Sequence, residues 1–270
     1  MKIAAAGLAA ALVGSALPAA PRTADEDLPP PLRGVEVEEK LGARVPMDAA
    51  FLDQDGRPLK VGDLFGRGKP VVVALVYYEC PVLCGLVLGG MARGMRETGL
   101  ELGKDYLAAT VSFDPREKPA QALVRQKGLL QSLDRADQKG SWPFLVGPEK
   151  ESRAVADAVG FHYKFDEATK QYAHPAAIFV LTPDGRVSRY LYGVEFPGRD
   201  LRLALVEAGD GRVGTSFDRF LLTCYRYDPV ARRYVPYAMG MVRAGALLVL
   251  FGLAGALIFF WRREVKGAKR

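Results

Sequence analysis

Val71-Val72-Val73-Ala74-Leu75-Val76-Tyr77-Tyr78-Glu79-Cys80-Pro81-Val82-Leu83-Cys84 is the stretch from which the fold is read. Its first seven residues are apolar and mostly β-branched, the pattern of a strand buried on both faces of a parallel sheet. A turn holding two cysteines follows. Beyond it Leu83, Val87, Met91 and Met95 recur at four-residue steps, with Gly90 and Gly94 beside them, which predicts an amphipathic helix. The thiols therefore stand where a central strand hands over to a helix. Unpaired N–H groups and the positive end of the helix dipole stabilise a thiolate there, so the C-x-x-x-C pair suits soft-metal binding or thiol redox chemistry.

Working outward, residues 51–64 read as a hairpin, with Asp55 and Gly56 supplying the turn. Residues 106–112 are a second apolar run, fit for a neighbouring parallel strand. Asp114, Pro115 and Glu117 form a capping-box signature for a helix reaching about Leu133. Residues 144–146 predict a short strand and 148–159 a helix ending at Gly160. Residues 178–182 and 186–191 flank Pro183-Asp184-Gly185 as an antiparallel hairpin, and 201–207 predict a last helix. This order describes an α/β, thioredoxin-like fold: a central mixed sheet flanked by helices, with an antiparallel edge and an insertion.

The ends of the 270-residue chain differ from its middle. Residues 1–20 have Lys2, an Ala-rich apolar run and then Pro18-Ala19-Ala20, the layout of a signal peptide. Residues 21–45 are Pro-rich and acidic, as a linker is. Residues 46–208 make the main domain and 209–241 a juxtamembrane extension. Residues 242–261 are expected to be a C-terminal transmembrane helix, since 244–261 carry no charge and suffice to span a bilayer. The tail 262–270 has five cations against Glu264, which by the positive-inside rule keeps it in the cytoplasm and the main domain outside. That tail and Lys2 supply most of the formal +6. The net charge is thus a topology signal and argues against nucleic-acid binding.

Three cysteines are too few for a disulfide scaffold in a chain of this length. Cys80 and Cys84 are local partners and Cys224 is left over. Two thiolates favour Cu(I), and a histidine would extend the site to Cu(II). Only His162 and His174 are available. His174 lies just ahead of the Ile178 strand, in a loop that packs beside the cysteine turn in a thioredoxin-like sheet; His162 suits an ordinary structural role. Zinc held by two cysteines and a histidine is an alternative, although structural zinc sites usually present four protein ligands. So is thiol-disulfide exchange, with Cys80 or Cys84 attacking and the other resolving.

With Cys80-Pro81-Val82-Leu83-Cys84 after a buried strand, Ser112-Phe113-Asp114-Pro115 closing the next, and His174 ahead of Ile178-Phe179-Val180-Leu181-Thr182-Pro183-Asp184-Gly185, the sequence resembles the Sco (SenC) family of thioredoxin-like copper chaperones. The resemblance runs from about Val45 to Ala208. It implies copper held by Cys80, Cys84 and His174, assistance to the copper-binding subunit of cytochrome c oxidase, and dealings with other copper chaperones or thiol reductants. It also allows a thiol reductase that keeps a target's cysteines reduced. Location would be a bacterial inner membrane with the main domain periplasmic. Two features depart from the family: Val82 and Gly85 stand where an acidic residue and a proline are common, and the anchor is C-terminal where many members have an N-terminal one. Cys224 is given no role.

Overall fold

The computed structural model describes residues 34–132, 136–209, 225–228, 233–236, 246–254 and 258. Asp53 turns the chain between β1 (Ala50–Leu52) and β2 (Pro58–Lys60). Its Oδ1 accepts from the amides of Asp55 at 2.8 Å and Arg57 at 2.9 Å, and Gly56 adopts the left-handed φ of +77° that closes the hairpin. β3 (Val71–Val76) is buried along its whole length. In α1 (Leu83–Glu97) the side chains of Val87, Met91 and Met95 face the core, as their spacing requires. Gly90 and Gly94 let α1 lie close to the chain after the last sheet strand, because a Cβ at either would overlap the carbonyl of Val194 or of Phe196.

β4 (Leu107–Ser112) lies parallel to β3 and is equally buried. The next helix starts later than its capping signature suggests. Asp114 is engaged by Arg116, and Glu117 is drawn inward, so residues 114–117 form a turn. α2 (Pro119–Ser132) begins beyond it, with Pro119 in the first turn and the Gln121 side chain accepting the Lys118 amide at 2.9 Å. β5 (Phe144–Leu145) extends the parallel half of the sheet. α3 (Glu149–Ala158) ends before Gly160, whose φ is +66°.

A small hairpin of β6 (Lys164–Asp166) and β7 (Gln171–Ala173) then precedes β8 (Ala177–Leu181) and β9 (Val187–Tyr192). It was not evident in the sequence, since no apolar alternation marks its short strands. α4 (Gly198–Ala208) closes the domain and packs on α1. The sheet order is β5-β4-β3-β8-β9, with β3, β4 and β5 parallel and β8 antiparallel to both β3 and β9. This is the mixed, helix-flanked sheet of the thioredoxin-like class. Parallel pairing sends β3 and β4 to one edge, and antiparallel pairing makes β8 start from that same edge, with Ala74 opposite Ile178.

Residues 37–45, assigned by composition to the linker, lie against the domain. Glu38 donates its amide to Gly160 at 2.8 Å, Lys40 to the Tyr190 hydroxyl at 2.7 Å, and Gly42 to Val187 at 2.8 Å. Val45 is buried in the core and Val37 packs against it, while the backbone pairing between them does not depend on side-chain composition.

A two-stranded pair, β10 (Tyr225–Asp228) and β11 (Arg233–Pro236), occupies part of the extension. Among the described residues no helix is long and apolar enough to cross a membrane. Residues 246–254 are helical, with Leu248 and Phe251 exposed. Apart from these and residue 258, the expected span 242–261 lies outside the described residues. So do the signal peptide 1–20, the tail 262–270 and Cys224.

Replacing Gly90 by Ala is expected to cost about 1–3 kcal/mol of unfolding free energy, the usual penalty for overpacking a close contact, as read by denaturant titration. At Gly128, where an added Cβ meets nothing within 4 Å, the same change is expected to be neutral or stabilising.

Candidate metal centre

Cys80, Cys84 and His174 come together at the shared edge of β3, β4 and β8. One ligand atom from each lies within 4.8 Å of the others. Cys84 sits in the first turn of α1, and its Sγ is 3.3 Å from His174 Nε2. Cys80 precedes the helix on the loop leaving β3. Both thiols are free, and all three side chains are buried.

The sulfurs are held by backbone donors. Val82, at the N-cap of α1, has no polar side chain with which to cap it. The Cys80 Sγ takes that place, accepting the Cys84 amide at 3.3 Å. The Cys84 Sγ accepts the Tyr77 amide at 3.4 Å. His174 Nδ1 lies 3.0 Å from the Pro175 carbonyl oxygen. A carbonyl only accepts, so Nδ1 carries the proton and Nε2 presents its lone pair toward Cys84.

These contacts make the two thiols unequal. The Cys84 thiol hydrogen-bonds to Cys80 and, against the opposing effect of burial, pulls the Cys80 pKa down to about 4, with help from the Cys84 and Val82 amides and the Tyr77 phenol. Cys84 moves the other way: burial pushes it up, and the neighbouring Cys80 adds to the rise. The two thiols are thus driven in opposite directions, Cys80 toward the thiolate and Cys84 toward the thiol.

Two sets of residues frame the centre that the sequence reading did not tie to it. Aromatic rings surround the imidazole: the Phe113 centroid is 5.4 Å from that of His174, Tyr77 and Phe161 are each at 6.0 Å, and Tyr172 packs against Tyr77 and Phe113. Tyr77 and Phe113 meet the ring edge to face, and Phe161 is tilted against it. Their positions at or just beyond strand ends, Tyr77 after β3 and Phe113 after β4, were the available signal.

The second set fixes the loop before Cys80. Glu117, expected to cap a helix, is buried and accepts the Glu79 amide at 2.8 Å and the Ser112 hydroxyl at 2.5 Å. Burial raises its pKa, while those donors oppose the rise. Gln121 donates to the Glu79 side chain at 3.1 Å, and Arg125 donates to the Tyr78 carbonyl. The turn after β4 and the start of α2 thus set the height of Cys80. His162 lies elsewhere, its Nε2 3.4 Å from Glu38 Oε2.

The family model described as SCO1/SenC matches residues 38–202. No curated protein matches the sequence significantly. Among solved structures, a candidate electron transfer protein from Aquifex aeolicus VF5 is 24% identical with a TM-score of 0.56, over 66% of this chain and 98% of its own. A candidate electron transport protein from the same organism is 25% identical with a TM-score of 0.52, over 63% and 98%. BsSco, a member of the Sco family of cytochrome c oxidase assembly proteins in which a disulfide switch was identified, is 20% identical with a TM-score of 0.50, over 64% and 98%.

In the reduced, metal-free protein one thiolate equivalent is expected to persist at pH 6 in far-ultraviolet absorbance, where ordinary thiols, with pKa of about 8.5, are protonated. It is lost only as pH falls toward the depressed Cys80 pKa of about 4. Cys80→Ser is expected to abolish that signal.

Proposed function

The chain belongs to the SCO1/SenC family, and on that premise we propose that it binds one copper ion through Cys80 Sγ, Cys84 Sγ and His174 Nε2 and passes it to the copper-binding subunit of cytochrome c oxidase. The approach of Cys84 Sγ to His174 Nε2, 3.3 Å across ninety residues of sequence, carries this reading. Two soft thiolates suit Cu(I), and the imidazole extends the set to Cu(II). The fixed Nδ1 proton leaves Nε2 as the metal-facing nitrogen. Copper here is cargo. It leaves by ligand exchange, one donor bond to the acceptor forming for each bond to this chain that breaks. We assign the chain to a bacterial-type inner membrane, anchored by residues 242–261 after removal of the signal peptide 1–20, with residues 46–208 outside and the tail 262–270 in the cytoplasm.

The unequal thiols favour a second reading as a thiol-disulfide oxidoreductase. The Cys80 thiolate would attack a substrate disulfide, releasing one substrate thiolate. Cys84 would then displace the second, leaving a Cys80–Cys84 disulfide and a reduced substrate.

His174→Ala separates the two. Copper titration of the reduced full-length chain is expected to show affinity falling by more than the 10–100-fold, order-of-magnitude cost of losing an outer-shell partner, with loss of thiolate-to-copper absorption, while disulfide reduction persists. Unchanged copper affinity in this variant would sink the copper assignment.

A further inference from the structure

We propose that the furrow between α1 and α2, beside the cysteine loop, is the docking surface for the copper acceptor, and that it receives an apolar stretch of that protein bearing a carboxylate. The inference rests on the copper-carrier reading above and adds where, and with what chemistry, the acceptor is held.

Among the described residues of the folded domain few large apolar side chains are exposed. Val82, within the cysteine loop, is 63% exposed, and Val124, on α2, is 74%. Two adjoining grooves meet at Val124 and Arg125. One, of about 500 Å³, is lined by Tyr78, Glu79, Ala120, Gln121, Val124 and Arg125. The other, of about 270 Å³, lies over Leu88 and Leu129 between Gly85 and Gly128. Exposed apolar residues gathered around a groove are the signature of an interaction site.

The glycines point the same way. Gly90 and Gly94 are required by the chain packed against them, but Gly85 and Gly128 are not. A Cβ at Gly85 would meet only the end of the Arg125 side chain, at 3.8 Å, and one at Gly128 would meet nothing within 4 Å. Glycine inside a helix is unfavourable relative to alanine, and packing within the described domain gives no reason for either. Both keep the furrow open to another backbone.

Charge selects the occupant. Arg125 lines both grooves, with Arg93 and Lys127 exposed on the same pair of helices, and Glu79 is the one carboxylate in the lining. An apolar segment with a carboxylate complements this set. Position does the rest: ligand exchange brings acceptor donors within bonding distance of Cys80, so the acceptor must cover Val82. Arg125 also donates to the Tyr78 carbonyl, and a carboxylate competing for that guanidinium loosens the segment leading to Cys80 as the acceptor arrives.

The test uses the full-length chain loaded with copper and, as probe, the metal-free copper-binding domain of a cytochrome c oxidase subunit. Val124→Glu is expected to keep copper affinity within about twofold and to slow transfer at least about tenfold. Gly128→Ala is expected to keep or raise the thermal midpoint while slowing transfer, a combination that a purely structural glycine does not produce. Transfer at the wild-type rate in both variants overturns the docking surface and leaves the carrier reading standing. So does a wild-type dimer that Val124→Glu dissociates, because a second copy then fills the furrow. If wild-type protein holds copper but passes none to the probe, both readings fall.

Discussion

Antiparallel pairing of β8 against β3 is the constraint from which the centre follows. β3 delivers the cysteine loop to one edge of the sheet, and a strand running the same way would begin at the opposite edge, a full strand length away. Because Ala74 faces Ile178 and Val71 faces Leu181, the chain entering β8 starts beside the end of β3. His174, three residues before β8, thereby meets Cys84. Slipping the register by one residue would turn every side chain of a fully buried strand to the other face, so the hydrophobic core enforces the meeting of sulfur and imidazole. β4, parallel to β3, brings Phe113 and the Glu117 turn to the same edge.

Within this frame the thiols are shaped by helix-end physics. The first turn of α1 has amides without partners, and its N-cap residue is a valine that cannot serve them. A sulfur does so instead, which ties the ionisation of Cys80 to the integrity of the helix start. The loop is also held from outside the helix, by the Glu117 carboxylate and the Arg125 guanidinium. Cys80 is therefore located by α1, by α2 and by the turn after β4 together, whereas Cys84 is located by α1, with the Tyr77 amide and the His174 imidazole at its sulfur.

Much of this was legible in the sequence where the signals are local. The valine run, the four-residue steps of α1 and the Pro183-Asp184-Gly185 turn each report a period or a turn chemistry, and the strands and helices appear where those signals lie. The resemblance pointed to Cys80, Cys84 and His174, which the topology brings together. The Asp114 and Glu117 signature misled because the nearby Ser112 hydroxyl and the Glu79 amide, distant in the chain, take the Glu117 carboxylate. The β6–β7 hairpin was missed because its strands are short and half exposed. Residues 37–45 bind through backbone amides and two valines, too sparse a pattern for composition to record. The aromatic surround of His174 draws on strands far apart in sequence, so no window along the chain contains it.

Exposure orders the three residues. Cys80 and His174 retain 7% and 8% of their surface, while Cys84 retains 1%. A ligand arriving from outside meets a shallow rim and a deep floor.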